Sequence, residues 1–216
     1  MSSAESRDAA DPAAPVALID LGDTLCDCTA VLRDGLARLR GPTEDARDDA
    51  LEALPPHLEA RRRLVMSVPG FWRDLPPLPL GFELLQLLRD EGFTVHVVTK
   101  GPHDVPQAWA DKVAWCRRHL PGVQAVVTDD KALVHGHVLV DDWLPYVARW
   151  QRRWATGLAI VPAQPWNARA TPGPRRVRYD GRNRSEVQAA LRTCRQSVDD
   201  AAAETPSWPG TGSPRR

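Results

Sequence analysis

VALIDLGDTL, residues 16–25, runs four apolar residues straight into a carboxylate. A stretch such as Val16–Ile19, with no polar alternation, is what a strand buried on both faces requires. Both faces are covered when crossover helices flank a parallel sheet. Asp20 then stands at the carboxyl end of that strand, and Gly22-Asp23-Thr24 make the turn that leaves it. Ligands in open parallel sheets bind beyond the carboxyl ends of the strands. Asp20 is therefore a candidate for chemistry, against the simpler reading of a turn cap.

Moving outward, strand and helix patterns alternate. Thr94–Val98 reads as a strand, 104–119 as a helix, Val123–Val127 and Val138–Val140 as strands, 144–154 as a helix and Leu158–Val161 as a strand. Such spacing implies right-handed crossovers and a doubly wound parallel α/β sheet. Between the first strand and this series, residues 28–66 turn helical, with Val31, Leu32, Leu36 and Leu39 at helical spacing. Gly41-Pro42 breaks that run, Thr43 with Asp45-Ala46 starts a second helix, and Pro55-Pro56 a third. FELLQLLRD, 82–90, is an amphipathic helix stopped by Gly92, and the last helix covers 184–197. The expected organisation is a tail over 1–13, an α/β core over 14–25 and 79–198, a small helical cap inserted at 26–78, and a second tail over 199–216.

Composition narrows the partners. The 216 residues carry 28 basic and 28 acidic side chains, so no global field draws the protein to a nucleic acid polymer or a membrane. A small anion can still be held in a locally positive pocket. Arginine supplies most of the positive charge; only Lys100, Lys112 and Lys131 are lysines. No apolar run approaches the roughly 20 residues that span a bilayer. The acidic MSSAESRDAADPAAP start has no apolar core, and four cysteines without a secretory signal point to reduced thiols in a cytoplasmic protein. Cys26 and Cys28 lack a second pair at zinc spacing and read as small buried residues.

On this reading, four strand ends deliver polar groups to one edge: Asp20 with Asp23-Thr24, Thr99-Lys100-Gly101, Thr128-Asp129-Asp130-Lys131, and Asp141-Asp142. Carboxylates with a lysine can hold Mg²⁺ and a phosphate together, since Mg²⁺ takes hard oxygen ligands. An aspartate can attack phosphorus and divide hydrolysis into two easier steps, and a lysine offsets the repulsion between carboxylate and phosphate.

VALIDLGDTLCD resembles the first motif of the haloacid dehalogenase superfamily, a strand running into Asp-x-Asp-Gly-Thr/Val-Leu. VHVVTKGP resembles its second motif, and TDDKALVHGHVLVDD its third and fourth. Within that superfamily, FWRDLPPLPLGFELLQLL, the DKVAWCRRHL helix and TDDK followed by HVLVDD are most similar to the 5'(3')-deoxyribonucleotidases. The resemblance implies a Mg²⁺-dependent phosphate monoester hydrolase acting on nucleoside monophosphates through an aspartyl-phosphate. Asp20 would be nucleophile and metal ligand, the carbonyl of Gly22 a second ligand, and Asp141 a third, with Asp142 on the metal or just behind it. Thr99 would hold a phosphate oxygen, Lys131 would pair with Asp20 and the phosphate, and Phe71 and Trp72 would lie against the base. It leaves a homodimer open.

Two positions depart from the family. Its second Asp, the proton donor to the leaving group, falls at Gly22, and its Gly falls at Asp23; Asp23 is then the candidate donor. Lys100 replaces a small polar residue and would add charge near the phosphate. Gly22 keeps two alternatives open, a non-catalytic nucleotide- or protein-binding relative and other chemistry at Asp20. Arg61-Arg62-Arg63 reads as a solvated helix face, and Trp109, Trp115, Trp143, Trp150 and Trp154 as packing.

Overall fold

A computed structural model of the chain describes residues 14–44, 54–171 and 173–204. Six strands form one sheet: β1 (Val16–Ile19), β2 (Thr94–Lys100), β3 (Ala125–Thr128), β4 (Val138–Val140), β5 (Leu158–Pro162) and β6 (Arg176–Tyr179). Their order is β3-β2-β1-β4-β5-β6, and every neighbouring pair is parallel. The chain thus builds outward from β1 through β2 to β3, then returns to lay β4 on the other side of β1. The reversal point lies between β1 and β4, where a doubly wound sheet opens a crevice. Register puts Ile19 beside both Val97 and Val140, so the residues following β1 and β4 emerge side by side.

The central strands are buried on both faces. Ala17, Ile19, Val97, Val138 and Val140 belong to the larger core, and Leu18, Val98 and Leu139 pack with Trp150 on the other face. Alternation within each strand divides these residues, which explains why the strands read as unbroken apolar runs. Trp115 and Trp150 are fully buried, as packing residues should be, but Trp143 is 37% exposed.

Among the described residues there are six helices: α1 (Cys28–Arg38) and α2 (Pro56–Met66), which pack on each other, and α3 (Pro79–Asp90), α4 (Pro106–His119), α5 (Leu144–Arg153) and α6 (Arg184–Glu204), which pack on the sheet. In α2 to α5 a proline occupies the first turn. Its missing N–H would be unpaired there in any case, and its fixed φ suits a helix start. Some of the chain's proline is therefore punctuation in an α/β fold. In α1, Asp27 caps the first turn by accepting from the Ala30 N–H at 2.9 Å, and Leu32 and Leu36 are buried. Leu39, expected on the same face, sits past the helix end and is 42% exposed. Gly35 lets α1 lie close on α2, because a Cβ there would meet Val65 Cγ1.

Several boundaries differ from the sequence reading. Strand β2 continues through Lys100, β3 starts at Ala125, and α3 begins at Pro79, three residues before the expected 82. Helix α6 reaches Glu204, so residues 199–204 belong to the helix and not to a tail. Strand β6 was not expected. Its alternation, Arg176 and Arg178 partly exposed with Val177 and Tyr179 buried, is the mark of an edge strand and not of a central one. The tails over 1–13 and 205–216 lie outside the described residues, as does the second helix expected from Thr43 with Asp45-Ala46, beyond Glu44.

Helix α3 starts hard against the turn that follows β1. The Leu78 N–H donates to the Leu25 carbonyl at 2.9 Å, and a Cβ on Gly81 would clash with the Thr24 carbonyl oxygen. We expect Gly81→Ala to destabilise the fold by about 1–3 kcal/mol, the usual cost of overpacking against backbone. Thermal unfolding checks this, and an unchanged midpoint would mean that α3 can slide.

Candidate active site

Because β1 and β4 are parallel neighbours, the residues after them converge. The Asp20 N–H donates to the Val140 carbonyl at 2.8 Å, and Asp141 and Asp142 follow at once on β4's side. Lys131 comes from a short 3₁₀ turn, Lys131–Leu133, after β3. Its ammonium lies 2.7 Å from Asp20 Oδ1 and 2.7 Å from Asp141 Oδ2. Asp141 Oδ1 accepts from the Trp143 N–H at 2.9 Å. Asp142 is held by two neutral donors: Thr24 Oγ1 donates to Oδ1 at 3.1 Å and Trp166 Nε1 to Oδ2 at 2.9 Å. Behind it, the Asn167 side-chain amide donates to the carbonyls of Asp142 and Pro162, tying the loop after β5 to the end of β4.

Asp20, Asp141 and Asp142 are all buried, and a ligand oxygen from each lies within 4.8 Å of the others. Burial, then repulsion within this group, pushes the carboxyls of Asp141 and Asp142 above the ordinary range, although Lys131 opposes it. Burial would lower the Lys131 pKa, but Asp141 and Asp20 outweigh it and hold the ammonium above the usual lysine value. One lysine cannot balance three carboxylates. The surplus of hard oxygen donors in a buried place suits a small divalent cation.

In the turn after β1 the glycine is not the residue with the unusual backbone. Gly22 has ordinary backbone, and Asp23 carries the left-handed φ, 56°. The freedom of glycine is therefore unused at 22, and a Cβ there would meet only Cys28 Cβ, at 4.0 Å. Asp tolerates the left-handed region better than most residues. Gln164 helps to hold it there, donating from Nε2 to the Asp23 carbonyl at 2.7 Å. The Asp23 carboxylate accepts from the Thr29 N–H at 2.7 Å and from the Thr29 hydroxyl at 2.9 Å, inside the first turn of α1. Burial raises its pKa, against the lowering effect of those bonds.

A cavity of about 480 Å³ opens over this edge, lined among others by Asp20, Gly22, Asp23, Thr99, Lys100, Lys131 and Asp142. Nearly all the candidate residues thus meet, with Asp141 beneath them. Phe71 does not line this cavity; it lies edge-on to Trp72, with ring centroids 5.1 Å apart, in the core and at a separate groove beside α1. Trp72 lines the cavity, but the Lys112 ammonium sits 4.1 Å from its ring centroid, so that face is closed to a base. Cys26 and Cys28 are buried, and burial raises both thiols, which keeps them neutral.

Several residues at the site escaped the sequence reading. Lys112 is buried on α4 and donates to the Lys100 carbonyl at 2.6 Å and to Thr99 Oγ1 at 3.3 Å. Burial lowers its pKa. A signal was available: Lys112 shares a helical face with Ala108, Asp111, Trp115 and Cys116, all buried, and a lysine on such a face needs a reason. Tyr146 and Trp166 line the cavity as well. Arg62 also reaches it, which corrects the reading of the arginine triplet as one solvated face. Arg61 pairs with Glu44 at 2.7 Å, and Arg63 is the outward member.

Comparison with known proteins agrees with this geometry. A 5'(3')-deoxyribonucleotidase of cytosolic type from Homo sapiens is 30% identical over 139 residues, 58% of this chain and 69% of that protein. A Bordetella bronchiseptica protein bearing a 5'(3')-deoxyribonucleotidase name is 32% identical over 142 residues, 64% of this chain and 73% of that protein. In fold, the chain is similar to the crystal structure of a haloacid dehalogenase-like hydrolase from Burkholderia xenovorans, with a TM-score of 0.51, 18% identity, and coverage of 82% of this chain and 96% of that one. Residues 14–179 match the family described as 5' nucleotidase, deoxy (pyrimidine), cytosolic type C. The chain belongs to that family of nucleotidase-type hydrolases, built on the haloacid dehalogenase fold.

Proposed function

We propose that the protein hydrolyses phosphate monoesters in a Mg²⁺-dependent reaction, with (deoxy)nucleoside 5'-monophosphates as substrates and Asp20 as nucleophile. The observation that carries this is the buried group of Asp20, Asp141 and Asp142 bridged by Lys131 at the β1/β4 reversal. Asp20, Asp141 and the Gly22 carbonyl would hold the cation, with Asp142 on it or orienting its water. Bound there, Mg²⁺ would neutralise phosphate charge and polarise the transferring phosphoryl group.

The chain's own groups do the rest. A carboxylate oxygen of Asp20 attacks phosphorus as the ester P–O bond breaks, giving an aspartyl-phosphate and an alcohol. Lys131 holds Asp20 in place and offsets the charge of the approaching dianion. Thr99 and Lys112 give the phosphate a hydroxyl and an ammonium from the β2 side. Asp23 donates the proton that the leaving alkoxide needs, because it is the cavity-lining carboxyl outside the metal group among the described residues. It then takes a proton from the water that splits the aspartyl-phosphate to phosphate and free Asp20. The segment 26–78, with α1 and α2, acts as the cap over this edge and excludes water. Trp72 is the aromatic wall of the substrate cavity, and Phe71 backs it.

Phosphate release over a nucleotide panel, with and without Mg²⁺, tests the reading. Asp20→Asn should abolish release while leaving the melting temperature close to wild type; comparable turnover by the variant would sink the mechanism.

Trp166→Phe keeps a smaller aromatic ring and removes one donor from Asp142. Losing an outer hydrogen bond to a metal site typically costs about 10–100-fold in affinity. The concentration of Mg²⁺ at half-saturation, read calorimetrically without substrate, should rise by about tenfold or more. An unchanged titration would make Trp166 a packing residue only.

General acid catalysis is worth roughly 10²–10⁴-fold. Asp23→Ala should therefore slow nucleoside monophosphates by about 10²-fold and p-nitrophenyl phosphate far less, since p-nitrophenolate leaves without a proton. Equal losses on both would show that Asp23 only caps α1.

A further inference from the structure

Beside the cavity over Asp20 lies a second one of about 550 Å³, and the two share Arg62, Met66, Trp72, Lys100, Lys112 and Tyr146. The two adjoin along these shared residues, so the space beside the Asp20 edge is larger than a phosphate needs. The shared part is where positive charge concentrates. Lys112 is committed to Thr99 and the Lys100 carbonyl. Lys100 and Arg62 are not committed in that way. No ion pair of Lys100 with a carboxylate occurs among the described residues, and its ammonium stands 5.6 Å from the Tyr146 ring centroid. Arg62 reaches a carboxylate only at 3.7 Å, to Glu59, which also serves Arg63 at 3.4 Å.

The scissile phosphate does not need these two groups. With a divalent cation, Lys131 and Lys112 already come close to balancing the three carboxylates and a phosphate dianion. Seating a neutral base and sugar between Lys100 and Arg62 would leave both cations without partners against the walls of Trp72, Met66 and Tyr146. Charged groups losing water in that way lower affinity unless they are paired. The outer end of the space is different, since Asp104 lines it and His103 faces Asp129 at 3.2 Å. The positive stretch is therefore bounded, and it runs between the sheet edge at Lys100 and helix α2 at Arg62.

We propose that the substrate carries a second anionic group, a phosphate or a carboxylate, in addition to the phosphate that is cleaved, and that Lys100 and Arg62 hold it. This rests on the phosphatase reading of the Asp20 site and narrows its substrate class. Because Arg62 comes from α2 and Lys100 from β2, the second anion would bridge these two elements.

The test compares kcat/KM for uridine 5'-monophosphate, uridine 3',5'-bisphosphate and orotidine 5'-monophosphate. The bisphosphate adds a phosphate and orotidine adds a carboxylate. At low ionic strength, at least one of the two should exceed the parent by roughly tenfold, the scale of one well-placed charged hydrogen bond, and the excess should shrink as salt is raised. Arg62→Gln and Lys100→Gln should each bring that ratio toward unity, and Arg62→Lys should keep most of it. Equal kcat/KM for all three substrates overturns the proposal, as does a preference that survives both glutamine variants. If none of the three releases phosphate, the phosphatase reading fails, and calorimetric binding to the wild-type protein then decides. Tighter binding of a doubly anionic compound, lost in Arg62→Gln, upholds the subsite; equal dissociation constants overturn it.

Discussion

Three carboxylates gathered in a buried place repel one another, and the architecture around the β1/β4 edge is arranged to hold them there. Parallel pairing of β1 with β4 sets Asp20 beside Asp141 by backbone register alone. Lys131 then bridges them at 2.7 Å to each. Removing one member of such a buried group leaves the others uncompensated, which usually costs more than the pair contributes when whole. Donors to these carboxylates are both local and distant: the Trp143 amide two residues beyond Asp141, and Thr24 after β1 and Trp166 after β5 on Asp142. Each satisfies a carboxylate without adding positive charge, so the negative potential is kept for a cation. This is the opposite of what stability alone would select.

The loop after β5 is where the sheet and the site become one structure. Gln164 holds the carbonyl of Asp23, Trp166 holds the carboxylate of Asp142, and fully buried Asn167 holds two carbonyls at the end of β4 and β5. Strand β6 backs this loop: the Ala163 N–H donates to the Tyr179 carbonyl at 2.7 Å, and Arg178 Nε donates to Asn167 Oδ1 at 3.1 Å. The edge strand is therefore not incidental to function, because it braces the loop that orients the acidic residues.

The sheet was legible because β1, β2 and β4 must be apolar on both faces, a pattern that few alternatives produce. The rim residues followed, since strand ends in a parallel sheet share one edge. What escaped depends on long-range contact. Nothing local to Gln164 or Trp166 announces partners 141 and 24 residues away. Strand β6 carries an edge pattern, weaker than a core run and easily read as loop. In the arginine triplet, sequence gives three equal side chains, and only the packing of α2 on α1 decides which one turns inward. Phe71 and Trp72 are adjacent, and no periodicity tells which of two neighbouring aromatics meets the cavity.

The exchange at Gly22 and Asp23 shows how a backbone demand and a chemical demand compete for one position. The turn after β1 needs a left-handed residue at 23, where the wider family has glycine, and here an aspartate takes that conformation at φ 56°. Aspartate is among the few side chains that accept it without severe strain, and the Gln164 bond to its carbonyl opposes relaxation. The gain is a carboxyl group that faces the cavity and is fastened by Thr29 to the first turn of α1. A carboxyl on residue 22 would project from ordinary backbone and would belong to the sheet alone. One on residue 23 belongs to both bodies: any shift of α1 relative to the sheet must either carry Asp23 along or break its two bonds to Thr29. The proton donor we propose is in this way tied mechanically to helix α1, a coupling that the family's usual order of these two residues does not provide.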